Sequence, residues 1–80
     1  MGKYDKLKKD VMSGQCDHNI KFNDFCNLLD YLGFILARQK GSHIMYKHAT
    51  GAFANVQKDG SKAKGYEVKQ LRDMINKYGL

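Results

Sequence analysis

The chain has 80 residues, 42% of them hydrophobic, which is typical of one small domain with a single thin core. Its 14 lysines and arginines outnumber its 8 acidic residues, and the net charge of +6 is typical of proteins that bind a polyanion, although a soluble domain can be basic without such a partner. No apolar run approaches the roughly 20 residues of a membrane span, and the lysine-rich N-terminus lacks the apolar centre of a signal peptide, so we expect a cytoplasmic protein with no membrane contact.

Two amphipathic helices are predicted in the first part of the chain. Apolar residues recur at helical spacing over residues 3–12, and Ser13-Gly14 ends that segment. After a polar loop, a second apolar stripe with a helical period runs over residues 22–32 and ends near Gly33.

Cys16, His18 and Cys26 are of the residue types that bind zinc. Their spacing matches no common zinc pattern, and the sequence offers no evident fourth ligand. The favoured interpretation places Cys26 on a helix face and the other two residues in a loop, with both thiols reduced. We therefore expect no metal and no other cofactor.

After the second helix the apolar period changes to that of strands. A short apolar run opens a strand over residues 34–39, Gly41-Ser42 turns the chain, and residues 43–48 return as a hairpin partner. A third strand is predicted over residues 53–57, although its small and polar residues are weak strand formers.

The C-terminal part is predicted to contain a basic loop over residues 58–65 and a final helix over residues 68–78. Gly79 suits the left-handed residue that ends a helix, and Leu80 can fold back toward Ile75. The order α-α-β-β-β-α is that of an α+β fold. In this fold, helices cover one face of a three-stranded antiparallel sheet and leave the other open.

His43 opens the second strand and is the main candidate for a catalytic residue. Ile44 and Tyr46 have the parity of core residues, so His43, Met45 and Lys47 are predicted to point away from the core. An outward imidazole near lysines suits acid–base chemistry at a phosphate, although a single outward histidine is more often an ordinary surface residue.

Other kinds of active site find little support in the sequence. It contains no P-loop, no dinucleotide fingerprint and no carboxylate cluster of the kind that holds hard cations. RNA is the substrate that permits cleavage without a metal, because its own 2′-OH can attack the adjacent phosphate. The sequence leaves three candidates for the second catalytic group: a lysine, Tyr46 and the RNA itself.

Several lysines are candidates for phosphate binding. Lys62 and Lys64 precede the final helix, whose first N–H groups can bind an anion. A loop that is merely solvated and a loop that binds phosphate have about equal weight, and the net charge of the chain favours phosphate binding. The predicted RNA-binding residues are Lys40, Gly41, Ser42, Lys47, Lys62 and Lys64.

Four parts of the chain together match the pattern of one protein family. They are residues 25–34, the Lys40-Gly41-Ser42-His43 turn, the pair Tyr46 and His48, and the C-terminal segments 68–72 and 77–80. Over about residues 20–80 the chain resembles the HicA family of toxins from bacterial toxin–antitoxin systems. We therefore divide a single domain of residues 1–80 into an additional N-terminal helix and loop, residues 1–18, and a core fold, residues 19–80.

The resemblance implies a fold like a double-stranded RNA-binding domain and the activity of an mRNA interferase, a toxin ribonuclease that blocks translation. It implies that His43 is the essential histidine, that mRNA is the substrate and that a HicB-type antitoxin is the inhibiting partner. Lys62-Ala63-Lys64 looks like the basic cluster with which such folds grip phosphates. Ala49 stands where family members often have proline, which affects turn rigidity, and the role of the N-terminal helix is open.

Two other functions are compatible with the sequence. A non-catalytic RNA-binding module of the same fold would need the lysines but not the imidazole of His43. A protein-interaction domain would use the basic face to bind an acidic partner. Charge does not distinguish this function from that of a toxin, because an antitoxin would dock on the same surface. Cleavage of RNA in the presence of a chelator distinguishes the nuclease from both.

Overall fold

The computed structural model describes residues 2–15, 17–41 and 43–80. The predictions for Cys16 and Ser42 therefore fall outside the described residues. The described part contains three helices and an antiparallel sheet with the strand order β1-β2-β3-β4. The elements in chain order are α1 (Lys3–Ser13), α2 (Phe22–Tyr31), β1 (Ile35–Lys40), β2 (His43–Lys47), β3 (Phe53–Asp59), β4 (Lys62–Ala63) and α3 (Gly65–Tyr78).

The predicted α+β fold, broadly like a double-stranded RNA-binding domain, is confirmed with one correction, because the sheet has four strands rather than three. The segment expected to be only a basic loop contains a tight turn at Gly60, after which β4 pairs with the end of β3. β4 is also held from its other side, where the Ala63 N–H donates to the Ile20 carbonyl at 2.9 Å. A two-residue strand has too short a pattern to be read from sequence, because its pairing depends on these distant segments.

The helix ends follow local rules. α3 ends at Gly79, whose φ of 67° lies in the left-handed region that favours glycine, and the Leu80 N–H donates to the Ile75 carbonyl at 3.2 Å, as predicted. α3 begins three residues before the predicted start at Val68. The Glu67 carboxylate accepts a hydrogen bond from the Lys64 N–H at 3.3 Å and so stabilises the additional turn.

The core lies between the helices and the covered face of the sheet. α2 and α3 contribute much of it, and α1 adds Val11, which is fully buried. α1 contacts both other helices, and the side chain of Arg72 in α3 reaches the Val11 carbonyl at 3.1 Å. The additional N-terminal helix is thus packed on the rest of the domain. The largest fully buried side chains are Phe25, Leu28, Leu29, Leu71, Val11 and Val68.

β1 forms one edge of the sheet and is exposed along its whole length. The apolar run that predicted this strand buries only its first residue, Phe34, whereas Ile35 is 72% exposed and Leu36 is 50% exposed. α3 packs mainly on β3 and α2 mainly on β4, toward the opposite side of the sheet. β1, at the outer edge, therefore lies outside the part of the sheet that the helices cover.

Candidate active site

His43 is the first residue of β2 and lies in the middle of three paired strands. Its partner in β1 is Lys40 and its partner in β3 is Gln57. His43 and Lys47 are exposed and Tyr46, three residues after His43, is buried, as the predicted alternation requires, whereas Ile44 and Met45 are both half-buried. Gly41, with a φ of 61°, makes the left-handed turn that sets Lys40 opposite His43.

A hollow of about 360 Å³ opens beside His43, between the sheet and the start of α3. β1 and β2 contribute two cationic residues and the imidazole, β3 contributes two amides, and α3 contributes one aromatic and one acidic residue. The polar, charged and aromatic residues that line it are Arg38, Lys40, His43, Asn55, Gln57, Tyr66 and Glu67. This composition suits an anionic ligand that also carries flat, apolar surfaces.

Glu67 joins β3 to the start of α3. Its side chain is buried, with 2% exposure, and it accepts hydrogen bonds from the N–H of Gln57 at 2.6 Å and of Lys64 at 3.3 Å. The Lys64 ammonium in turn donates to the Gln57 side-chain oxygen at 3.3 Å. These contacts hold the Lys64 side chain against Gln57, the strand partner of His43.

The structure brings some of the predicted lysines to His43 and leaves others apart. Lys40 lines the hollow directly, and Lys64 is connected to it through Gln57. Lys62 is exposed on β4. Lys47 lies four residues along β2 from His43, about 13 Å at the usual strand rise, and lines a separate hollow.

The buried position of Tyr46 bears on the second catalytic group. Tyr46 is only 7% exposed, and its hydroxyl is hydrogen-bonded to Cys26 on α2. Burial, followed by that hydrogen bond, raises the pKa of Tyr46. Burial likewise raises the pKa of the Cys26 thiol. Tyr46 therefore lies in the core and does not line the hollow beside His43.

The other two histidines support the fold locally. The His48 Nε2 donates to the Leu32 carbonyl at 3.0 Å, and its Nδ1 accepts from the Thr50 N–H at 3.1 Å, which assigns the ring proton to Nε2. The ring also packs edge-on against Phe34 at 5.0 Å. His18, in the loop before α2, packs so closely on Gly65 that an added Cβ there would clash with its ring.

Sequence reasoning missed Tyr66, Glu67 and Gln57 as parts of this site. A signal for Glu67 was present, because an acidic residue at the third position of a helix often caps its start. The residue before that helix is Lys64 rather than serine or threonine, so the usual pattern was incomplete. Within the described residues, His, Cys, Asp and Glu side chains form no group of three or more that could hold a metal ion.

The architecture and charge define a small basic α+β domain with a hollow that combines the imidazole of His43 with the cationic side chains of Arg38 and Lys40. A family model for the HicA toxin of bacterial toxin–antitoxin systems matches residues 22–79, well over half of the chain. The chain therefore belongs to the HicA toxin family, and this membership implies an antitoxin as partner. α1 precedes the matched residues.

Further comparisons add no closer assignment. No curated protein and no solved structure matches the chain significantly. The helices of the described residues are all too short or too polar to cross a bilayer.

Proposed function

We propose that this HicA-family toxin is an endoribonuclease that cleaves mRNA in the cytoplasm and so blocks translation, with His43 as its catalytic histidine. The observation that carries the proposal is the placement of an exposed imidazole between its two strand partners, Lys40 and the Gln57 that Lys64 contacts, in a hollow of about 360 Å³. The ammonium groups supply the positive charge that a phosphate requires.

The proposed reaction uses the 2′-OH of the RNA as nucleophile and needs no metal. The neutral imidazole of His43 accepts the 2′-OH proton while the 2′ oxygen forms a bond to phosphorus. The bond between phosphorus and the 5′ oxygen breaks, and that oxygen takes a proton from an ammonium group or from water. The products are a 2′,3′-cyclic phosphate and a 5′-hydroxyl. Lys40 and Lys64 stabilise the charge that gathers on the phosphate oxygens.

The first test is the His43→Ala variant in an RNA cleavage assay. Loss of a general base should lower the cleavage rate by at least about 100-fold. The free energy of unfolding should stay within about 0.5 kcal/mol of the wild type, because an exposed side chain contributes little stability. His18→Gln is the matched control, since it alters a histidine that does not line the hollow; once circular dichroism shows that it is folded, it should cleave at the wild-type rate. Cleavage by a folded His43→Ala protein within threefold of the wild type would refute the proposal.

The same assay tests the nucleophile and the metal. Cleavage should persist in excess chelator, and RNA with a single 2′-deoxy sugar at the scissile position should resist cleavage, because the attacking hydroxyl is missing. Strict dependence on magnesium or manganese would overturn the mechanism, as would cleavage of the 2′-deoxy substrate. Binding of RNA without any cleavage would instead favour the non-catalytic RNA-binding module.

The antitoxin partner is proposed to be of the HicB type and to inhibit by covering the hollow beside His43. The basic residues there would attract an acidic surface as well as RNA. Antitoxin and RNA should therefore compete, and saturating antitoxin should abolish RNA binding by the His43→Ala variant.

A further inference from the structure

We propose that Tyr66 is a stacking platform for one unpaired nucleobase beside the phosphate that reacts at His43. The proposal rests on the proposed RNA substrate and narrows it. On this proposal the toxin binds RNA segments that contain at least one unpaired base, rather than an uninterrupted duplex.

Tyr66 lies in the same hollow as His43. It is the second residue of α3, it lines the hollow, and it is 54% exposed. The Lys64 ammonium lies 5.9 Å from the centre of the Tyr66 ring and 3.3 Å from the side-chain oxygen of Gln57, the strand partner of His43. Two contacts thus connect the aromatic ring to the strand pair that carries the histidine.

The other exposed aromatic residues lie elsewhere. Among aromatic residues more than half exposed in the described part of the chain, Tyr31 donates its hydroxyl to Asp5 and packs its ring 5.7 Å from that of Tyr4. Phe53 lines different hollows, near Lys47 and the end of α3. Tyr66 is therefore the exposed ring that shares a hollow with His43 and a contact with a lysine.

The physical chemistry of this arrangement favours a base. Proteins that bind unpaired nucleic acid stack bases on exposed aromatic rings while nearby cations hold the backbone. A base inside a duplex has both faces covered by its neighbours, so a protein ring can reach a face only when the base is unstacked. Loss of one such stack is expected to weaken binding by roughly 5- to 150-fold.

The experiment measures RNA binding in the His43→Ala background, where the RNA should stay intact. A labelled single-stranded 12-mer and the corresponding duplex are titrated with that protein and with added Tyr66→Phe or Tyr66→Leu. Tyr66→Leu should weaken single-strand binding by roughly 5- to 150-fold, and Tyr66→Phe should retain it within about threefold because the ring is kept. Duplex binding should change little. Phe53→Leu, which alters an equally exposed aromatic residue in another hollow, is the matched control and should bind normally.

A stacking readout separates a base contact from a merely structural role. RNA that carries 2-aminopurine should show a change in fluorescence when its base stacks on the ring, and Tyr66→Leu should abolish that change. Unaltered binding and fluorescence in Tyr66→Leu would overturn the proposal. Equal losses in Tyr66→Phe and Tyr66→Leu would also overturn it, because the hydroxyl rather than the ring would then be responsible.

The outcome is distinguishable from failure of the proposed nuclease. If the wild type binds RNA without cleaving it and Tyr66→Leu loses single-strand binding, the base site stands and the nuclease fails. If the wild type cleaves RNA and Tyr66→Leu binds and cleaves equally well, the base site alone fails. Absence of RNA binding by the wild type would overturn both.

Discussion

Replacing Arg72 by alanine should show that α1 is anchored to the domain by more than apolar packing. The Arg72 guanidinium donates to the Val11 carbonyl at 3.1 Å and to the two carboxylate oxygens of Asp17 at 3.0 and 3.4 Å. These contacts join α3 to the end of α1 and to the loop that follows it. Arginine and alanine both favour helices, so the substitution tests the contacts rather than the helix propensity.

The magnitude follows from the burial of the pair. The two side chains are 19% and 20% exposed, so they are largely but not fully removed from water. Hydrogen bonds that involve a charged group contribute about 1.5–3 kcal/mol, and breaking a fully buried pair costs about 3–5 kcal/mol. With partial exposure, Arg72→Ala should lower the free energy of unfolding by about 2 kcal/mol. For a domain of this size that corresponds to a fall in Tm of roughly 8–16 °C.

The assay is urea denaturation followed by circular dichroism, with Asp17→Asn and the double variant completing a double-mutant cycle. The coupling energy should be about 1 kcal/mol or more, since the two groups interact directly. Lys69→Ala, a change at an exposed residue of the same helix, should stay within about 0.5 kcal/mol of the wild type. If Arg72→Ala is as stable as Lys69→Ala, the polar contacts do not anchor α1 and the reasoning is refuted.

Two further predictions concern RNA affinity and alkaline stability. Replacing Lys62 and Lys64 together by alanine should flatten the slope of log affinity against log salt by about 1.5, and an unchanged slope would place the RNA elsewhere on the surface. Burial, followed by the hydrogen bond to Cys26, raises the pKa of Tyr46 above its ordinary 10.0, so the unfolded chain releases this proton first as the pH rises. The stability linked to Tyr46 is therefore complete below about pH 10 and is lost as the pH rises through the folded-state pKa. In urea titrations between about pH 8 and about pH 11, the wild type should lose more unfolding free energy than Tyr46→Phe, and equal losses would contradict this.

Sequence periodicity was sufficient for most of the fold because it reports local structure. The helices and the three longer strands lie close to where the apolar spacing places them, since a helix or strand must turn its apolar residues to one side. The alternation along β2 also predicted an exposed His43 and a buried Tyr46. The family pattern around Gly41 and His43 agrees with the family match over residues 22–79.

The surroundings of His43 were decided by tertiary structure. Gln57 becomes its neighbour only through the register of β2 with β3, and Glu67 then fastens that strand to α3. Periodicity alone carries no information on which residues of distant segments meet. For the same reason it did not reveal Tyr66 in the hollow.

The chain sequence by itself determined where the helices and the three longer strands form, to within a few residues, and that the surface is basic, because these properties depend on residues close together in the chain. Only the tertiary structure decided that Lys64 contacts the strand partner of His43 while Lys47 lines another hollow. It also left β1 exposed at the edge of the sheet, although its apolar residues resemble those of a buried strand. Burial and proximity depend on how whole elements pack, and many residues far apart in sequence determine that packing together.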